Sequence, residues 1–214
     1  MNKMRLNKKI PSIVISMTIA FNMFIPINVQ ALGKFDIKSS FISKEIDNKR
    51  LEIVPGVTEK SYNFIDKDGK KQYVSLIEVK WTSFKVGVKA GTPNNKDNYG
   101  MQSVIMQAKA AITSGNNVVG ALNGDFYYTV TGEPIGIVYK NGKAIKSNPA
   151  PEWNFFGVLQ DGTPIIGDMK KYNEVKESLQ EALGGNAILV KDGSTYQTPN
   201  VGANREPRTA VGIK

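Results

Sequence analysis

Asn141-Gly142 constrains the fold of this chain more than any other pair of residues. Both central residues of a type I′ turn need positive φ, and Asn followed by Gly meets that need at low cost. β-prone runs flank the pair, 135–139 leading out and 143–145 leading back, so the segment predicts a hairpin. The same chemistry recurs. Asp161-Gly162 separates 155–159 from 163–166, and Asp192-Gly193 follows the apolar run 187–190, which reads as a buried strand. Asp66-Lys67-Asp68-Gly69 lies between 62–65 and 73–81. This last turn begins like a calcium loop, but an EF-hand needs Gly and Glu where the chain has Lys71 and Ile77, so it too reads as a hairpin.

Two stretches break the strand pattern. Met101, Val104, Ile105, Ala108, Ala111 and Ile112 keep helical spacing, which predicts a helix over 101–113 stopped by Gly115. A second helix is expected over 173–183, amphipathic through Val175, Leu179, Ala182 and Leu183 and stopped by Gly184-Gly185. Further short strands are expected at 84–88 and 209–213, with a loop over 195–205. Short strands with two helices among them imply an α+β fold, a mixed or antiparallel sheet with hairpins rather than a regular βαβ alternation.

Composition removes several chemistries. The chain of 214 residues has no Cys and no His. That excludes disulfides, thiol nucleophiles, Cys-ligated zinc and a Ser-His triad within it. Acid–base work falls to Asp, Glu, Lys or Tyr. No cofactor is expected; a metal would need oxygen ligands, which favours calcium or magnesium over zinc.

Residues 1–31 read as a secretory signal. Lys3, Arg5, Lys8 and Lys9 make a basic start, 13–25 is an apolar run diluted by Ser16, Thr18 and Asn22, and Val29-Gln30-Ala31 offers small residues for cleavage. The run is too short and polar to remain as a stable membrane span, which takes about 20 residues. The expected location is secreted or cell-wall associated. Residues 32–50 form a polar lead-in, and folded structure is expected over 51–214. The net charge is +9, four of it in the leader, so the remainder is mildly basic. That balance suits an anionic cell-wall polymer as a partner. No basic stripe interleaved with aromatics is present, so nucleic acid is not expected as a partner.

The candidate site lies in 118–145. The apolar run 118–122 predicts a buried strand that breaks into Asn123-Gly124-Asp125. Phe126, Tyr127 and Tyr128 follow, then a polar loop over 129–134. Polar groups at the mouth of a strand beside tyrosines suggest a ligand pocket. The plainer reading is a strand ending in a tight turn, with aromatics filling the core.

The order of motifs resembles the phosphodiester glycosidase family, whose domain occurs in the lysosomal uncovering enzyme and in bacterial relatives linked to exopolysaccharide. The matching pieces are ALNGDFY, TGEPIGIVYKNGK, FGVLQDGTPIIG, AILVKDG and PRTAVGI, in that order from Ala121 to Ile213. Many members have a second Gly where this chain has Asp125. The family also continues past RTAVGI with a strand ending in a DGR-like turn, a helix, and an LDGGGS segment that lines the active site. The chain ends at Lys214, so the resemblance covers the first part of the domain and implies an incomplete, inactive site in 1–214 alone.

The resemblance implies hydrolysis of a sugar C1–O–phosphate bond in a cell-surface or exopolysaccharide phosphodiester. The second pKa of the leaving phosphate is about 6, so it needs little help from a general acid. The site needs a cation for the phosphate and a carboxylate for an oxocarbenium-like sugar or for water. Arg208 suits the first role, because its fork grips two oxygens at once. Asp125 suits the second, at a cleft where substitution costs activity rather than stability. Asn123, Gly124, Tyr127, Glu133 and Thr209 are the implied substrate-binding residues. Plainer roles stay open: a salt bridge to Glu206 or Asp192 for Arg208, turn capping for Asp125, core packing for Tyr127 and a solvated charge for Glu133. The alternative function is a non-catalytic module that binds cell-wall glycopolymers.

Overall fold

The computed structural model describes residues 29–31, 35–81, 86–196 and 206–214. The expected leader lies outside them except for its last three residues. Those form β1 (Val29–Ala31), which pairs antiparallel with β2 (Ile42–Val54). β3 (Val57–Asp66) and β4 (Lys71–Val79) complete a four-stranded antiparallel sheet in the order β1-β2-β3-β4. β2 starts well inside 32–50, so part of the polar lead-in is strand. Its mostly polar sequence alternates charges along an open face, a pattern that looks like linker when its partner strand is not known.

The β3–β4 connection is a hairpin, as its sequence predicts, and it closes through an Asx turn. Asp66 is fully buried; its Oδ1 accepts from the Asp68 and Lys70 N–H groups at 2.9 Å each, and its Oδ2 from Gln72 Nε2 at 2.7 Å. Phe35, Tyr62 and Phe64 form the small core of this sheet.

The second sheet has five strands. β5 (Val138–Lys140), β6 (Lys143–Lys146), β7 (Asn154–Leu159), β8 (Pro164–Asp168) and β9 (Leu179–Gly185) lie in the order β6-β5-β9-β7-β8, every pair antiparallel. Asn141 and Gly142 have φ of 50° and 77°, as a type I′ turn requires. Helix α2 (Met169–Val175) is capped by Asp168, whose side chain accepts from the Lys171 N–H, and it packs on β7 and β8. Ile137, Tyr139, Phe155, Tyr172, Leu179 and Ala182 form the core between them. The fold is α+β, as expected.

The second helix is displaced from its expected place. It ends at Val175, and Leu179–Gly185 is the central strand β9. Leu179, Ala182 and Leu183 satisfy either period, and Gly184-Gly185 is strand rather than a helix stop. Tyr139 and Ala182 are register partners on the α2 side, and Val138 and Leu183 are partners on the other. Alternation then puts Lys140 and Glu181 on the face away from α2.

Five other expectations change. Helix α1 (Val104–Ala111) starts at the Ser103 cap and buries none of its residues, so it has no packed partner strand among the described residues. The run 118–122 is not strand and joins neither sheet; Gly120 lies against the Ile77 side chain of β4. Residues 187–189 are not strand; Val190 is 62% exposed and begins the small hairpin β10 (Val190–Lys191) and β11 (Ser194–Thr195), with Asp192-Gly193 as its turn. Residues 209–213 have no strand partner among the described residues, and of the strand expected at 84–88 the described part, 86–88, is not strand.

Candidate active site

Asp125 sits where a loop meets the second sheet. Residues 126–135 form a narrow excursion: Tyr127 bridges to Pro134, Ile135 N–H donates to Phe126 O at 2.9 Å, and Tyr128 N–H to Glu133 O at 2.9 Å. At the base of this ladder, the Asp125 carboxylate takes the place of a main-chain carbonyl and accepts from the Gly136 N–H through Oδ2. Oδ1 accepts from the indole Nε1–H of Trp153 and from the Phe126 N–H, each at 2.7 Å.

Glycine makes room for this carboxylate. A Cβ on Gly136 would meet Asp125 Oδ2 at 2.5 Å, and one on Gly184 would also overlap Oδ2. The same two positions bring the backbones together, because a Cβ on either would lie 2.6 Å from the other's Cα. Neither glycine has positive φ. Their role is close approach rather than backbone freedom.

Burial pushes the Asp125 carboxyl above the ordinary carboxylate range. The Trp153, Gly136 and Phe126 donors pull the other way, and so does the charge of Lys146. Lys146 is almost wholly covered and pairs with Glu133 Oε1 at 2.6 Å. A half-buried carboxylate held through three of about four acceptor positions is suited to stabilise positive charge or to take a proton from water.

Glu133 pairs with Lys146, whose charge also acts on Asp125. Gly124 lies on the same loop, against the Leu183 side chain. Asn123 is exposed beside it. Tyr127 is 49% exposed, so it does not fill a core, and Phe126 and Tyr128 are similarly open. Arg208 and Thr209 lie on the exposed segment 206–214, and Arg208 Nη1 donates to Pro207 O at 3.3 Å. Arg208 is not among the partners of Asp125. Asp125 does cap its own turn through Phe126, as its plainer reading holds, but its other two bonds reach 11 and 28 residues away.

Sequence reading missed Trp153, Gly136, Gly184 and Lys146. Gly136 stands inside the TGEPIGIVYKNGK motif and could have been singled out as a conformationally costly residue in a strand approach. Trp153, one of only two tryptophans, carries no local pattern that points to Asp125. No group of three or more acidic side chains placed to hold a metal occurs among the described residues. A cleft of about 410 Å³ opens between the β5–β6 hairpin and α2, lined by Tyr139, Ser147, Tyr172, Asn173 and Lys176, away from every predicted site residue.

The opposite face of the sheet anchors the loop before α1. Lys140 Nζ is buried and donates to Thr92 Oγ1 at 2.8 Å and to Asn95 O and Oδ1 at 2.7 Å each. Glu181 accepts from the Ala90 N–H at 3.0 Å and the Asn141 N–H at 3.1 Å. This polar cluster is saturated by protein groups and serves position rather than chemistry.

Residues 116–214 match the family described as phosphodiester glycosidase, a little under half of the chain. The matched part contains Asp125, its three donors, both glycines, Lys146 and Arg208. No curated protein matches the chain.

Proposed function

We propose that this chain, whose residues 116–214 belong to the phosphodiester glycosidase family, serves the hydrolysis of a sugar phosphodiester at its C1–O bond. Asp125 carries the reading: it is a half-buried carboxylate fixed by three donors, inside the family segment, beside exposed aromatic side chains. Hydrolysis breaks the bond from C1 to the bridging oxygen. That oxygen leaves with the electron pair on a phosphomonoester, water supplies the new oxygen on C1, and one water proton is released. The Asp125 carboxylate balances the charge that develops on the sugar, or takes that proton.

The leaving oxygen needs little protonation, so the demand falls on cations. Arg208 is the proposed phosphate grip, through its two-pronged guanidinium. Tyr127, Asn123, Gly124 and Thr209 are proposed to contact the sugar, and Glu133 to act through its pairing with Lys146. The basic, apolar and small-residue order of 1–31 supports export, and the mildly basic remainder supports a substrate in an anionic cell-surface or exopolysaccharide polymer. No described helix is long and apolar enough to cross a membrane.

The test is sugar release from a synthetic sugar 1-phosphodiester by the protein as its natural gene encodes it. Asp125→Ala and Arg208→Lys should each lower kcat/KM at least ~100-fold, the scale of losing one acid–base or electrostatic group. Tight binding of the diester with no release from the unmodified protein would favour a binding module and overturn the enzymatic reading.

A further inference from the structure

Trp153 is set up to do one thing to Asp125. Indole Nε1–H is a donor only, and here it points at Oδ1 from 2.7 Å. The ring cannot swing away easily. Its Cδ1 lies 2.6 Å from where a Gly136 Cβ would stand, and its plane meets Phe126 edge to face at a centroid distance of 6.3 Å. The loop that carries it is tied at both ends: Ala150 N–H donates to Ile135 O at 3.3 Å, and Trp153 N–H to Ala150 O at 3.0 Å. Trp153 therefore moves as one piece with residues 135 and 136, which carry the other donor to Asp125.

The two oxygens of Asp125 are not equivalent in this arrangement. Oδ1 receives two N–H groups and is full. Oδ2 receives one, from Gly136, and keeps one acceptor position. Trp153 thus holds Oδ1 outward from the two glycines that Oδ2 packs against. We propose that Trp153 is the positioning residue for Asp125, fixing its rotamer so that Oδ2 stays seated against Gly136 and Gly184 and the carboxylate keeps one orientation toward the reaction. This rests on the reading of Asp125 as the working carboxylate.

The charged groups facing Asp125 are Lys146, from β6, and through it Glu133, from the 126–135 excursion. The Trp153 N–H adds to the pull of Lys146 and holds the carboxyl lower than burial alone would leave it. Removing that donor should raise the carboxyl's midpoint.

The chain has two tryptophans, and the other, Trp81, donates to the Gly162 carbonyl rather than to a carboxylate. Proton NMR of the unmodified protein should therefore show one indole N–H signal that titrates in the acid range and one that does not. Trp153→Phe should delete the titrating signal, move the carbon-13 titration of Asp125 to higher pH, and lower kcat/KM about 10- to 100-fold, the cost of a misplaced group. Trp153→His, which restores a ring N–H, should recover part of both. A titrating indole absent from the unmodified protein, or an Asp125 midpoint unmoved in Trp153→Phe, overturns the proposal. So does a moved midpoint with undiminished hydrolysis. If Asp125→Ala also hydrolyses normally, the error lies in the assignment of Asp125 itself, which the indole titration does not depend on.

Discussion

Gly184 and Asp125 are in such close contact that a single methyl group on the Gly184 Cα would overlap the carboxylate. The adjacent Gly185 has nothing within 4 Å of its own Cβ direction, and neither residue has positive φ. Two consecutive glycines in β9 therefore differ only in what they face. Gly184→Ala should cost about 1–3 kcal/mol as an overpacking change and displace Asp125. Gly185→Ala should change stability by less than about 0.5 kcal/mol, as expected away from any such contact. Thermal melts of the two variants check this; equal melting temperatures would remove the close-approach argument.

The three donors to Asp125 predict a cost in stability beside the proposed cost in activity, where the sequence alone places the cost in activity. An amide at this position would set its own N–H against one of three fixed donors. Asp125→Asn should lower unfolding free energy by about 1–3 kcal/mol, the cost of unsatisfied buried partners. Chemical denaturation with the slope held constant measures it. A neutral result would mean that the three donors are free to turn to water.

These contacts also show where sequence reading works and where it stops. The turns at Asn141-Gly142, Asp161-Gly162 and Asp192-Gly193 were legible because a positive φ is a local demand, met by the residue itself. The α+β class followed from them. β9 was not legible, because Leu179, Ala182 and Leu183 fit a helix as well as a strand, and Gly184 looks like a stop signal unless the carboxylate it accommodates is known. Asp125 could be picked from Asn123-Gly124-Asp125, but Trp153 and Gly184 reach it from other parts of the chain. Only tertiary packing brings them together.

The 89–97 loop depends on two buried charges of β5 and β9. Lys140 holds Thr92 and Asn95, and Glu181 holds the Ala90 N–H. Lys140→Met keeps the length of the side chain but leaves those acceptors without their donor. It should cost about 1–3 kcal/mol and raise amide exchange at Asn95 and Lys96 while leaving the β7–β8 hairpin protected. Unchanged exchange in the loop would show that Lys140 does not anchor it.

Burial pushes up the Tyr172 phenol on α2, and the first sheet adds an alkaline sensitivity of its own. Tyr62 is buried, its OH donates to Asp36 Oδ1 at 2.6 Å, and burial first, then that bond, pushes its pKa up to about 12. Between the ordinary tyrosine value near 10 and about 12, the unfolded chain loses this proton while the folded chain keeps it. The folded state then binds more protons, so stability falls as pH rises through that window. Lys60 acts in the same direction, since its bond to Asp36 raises its pKa: its contribution is full below 10.5 and is lost as pH rises through the folded value. Tyr62→Phe should flatten the fall in urea-unfolding free energy above pH 10 without abolishing it. An identical slope in the variant would contradict this assignment.

Hydrolysis in oxygen-18 water tests the central claim most directly, because it reports which bond breaks. A sugar 1-phosphodiester is turned over by the protein as its natural gene encodes it, and both products are weighed by mass spectrometry. Attack at C1, with Asp125 serving the sugar, puts the heavy oxygen on the released sugar and leaves the phosphomonoester unlabelled; Asp125→Ala should abolish that label within the detection limit. Label in the phosphomonoester would mean that the P–O bond is cut, and would contradict the glycosidase reading and the role given to Asp125.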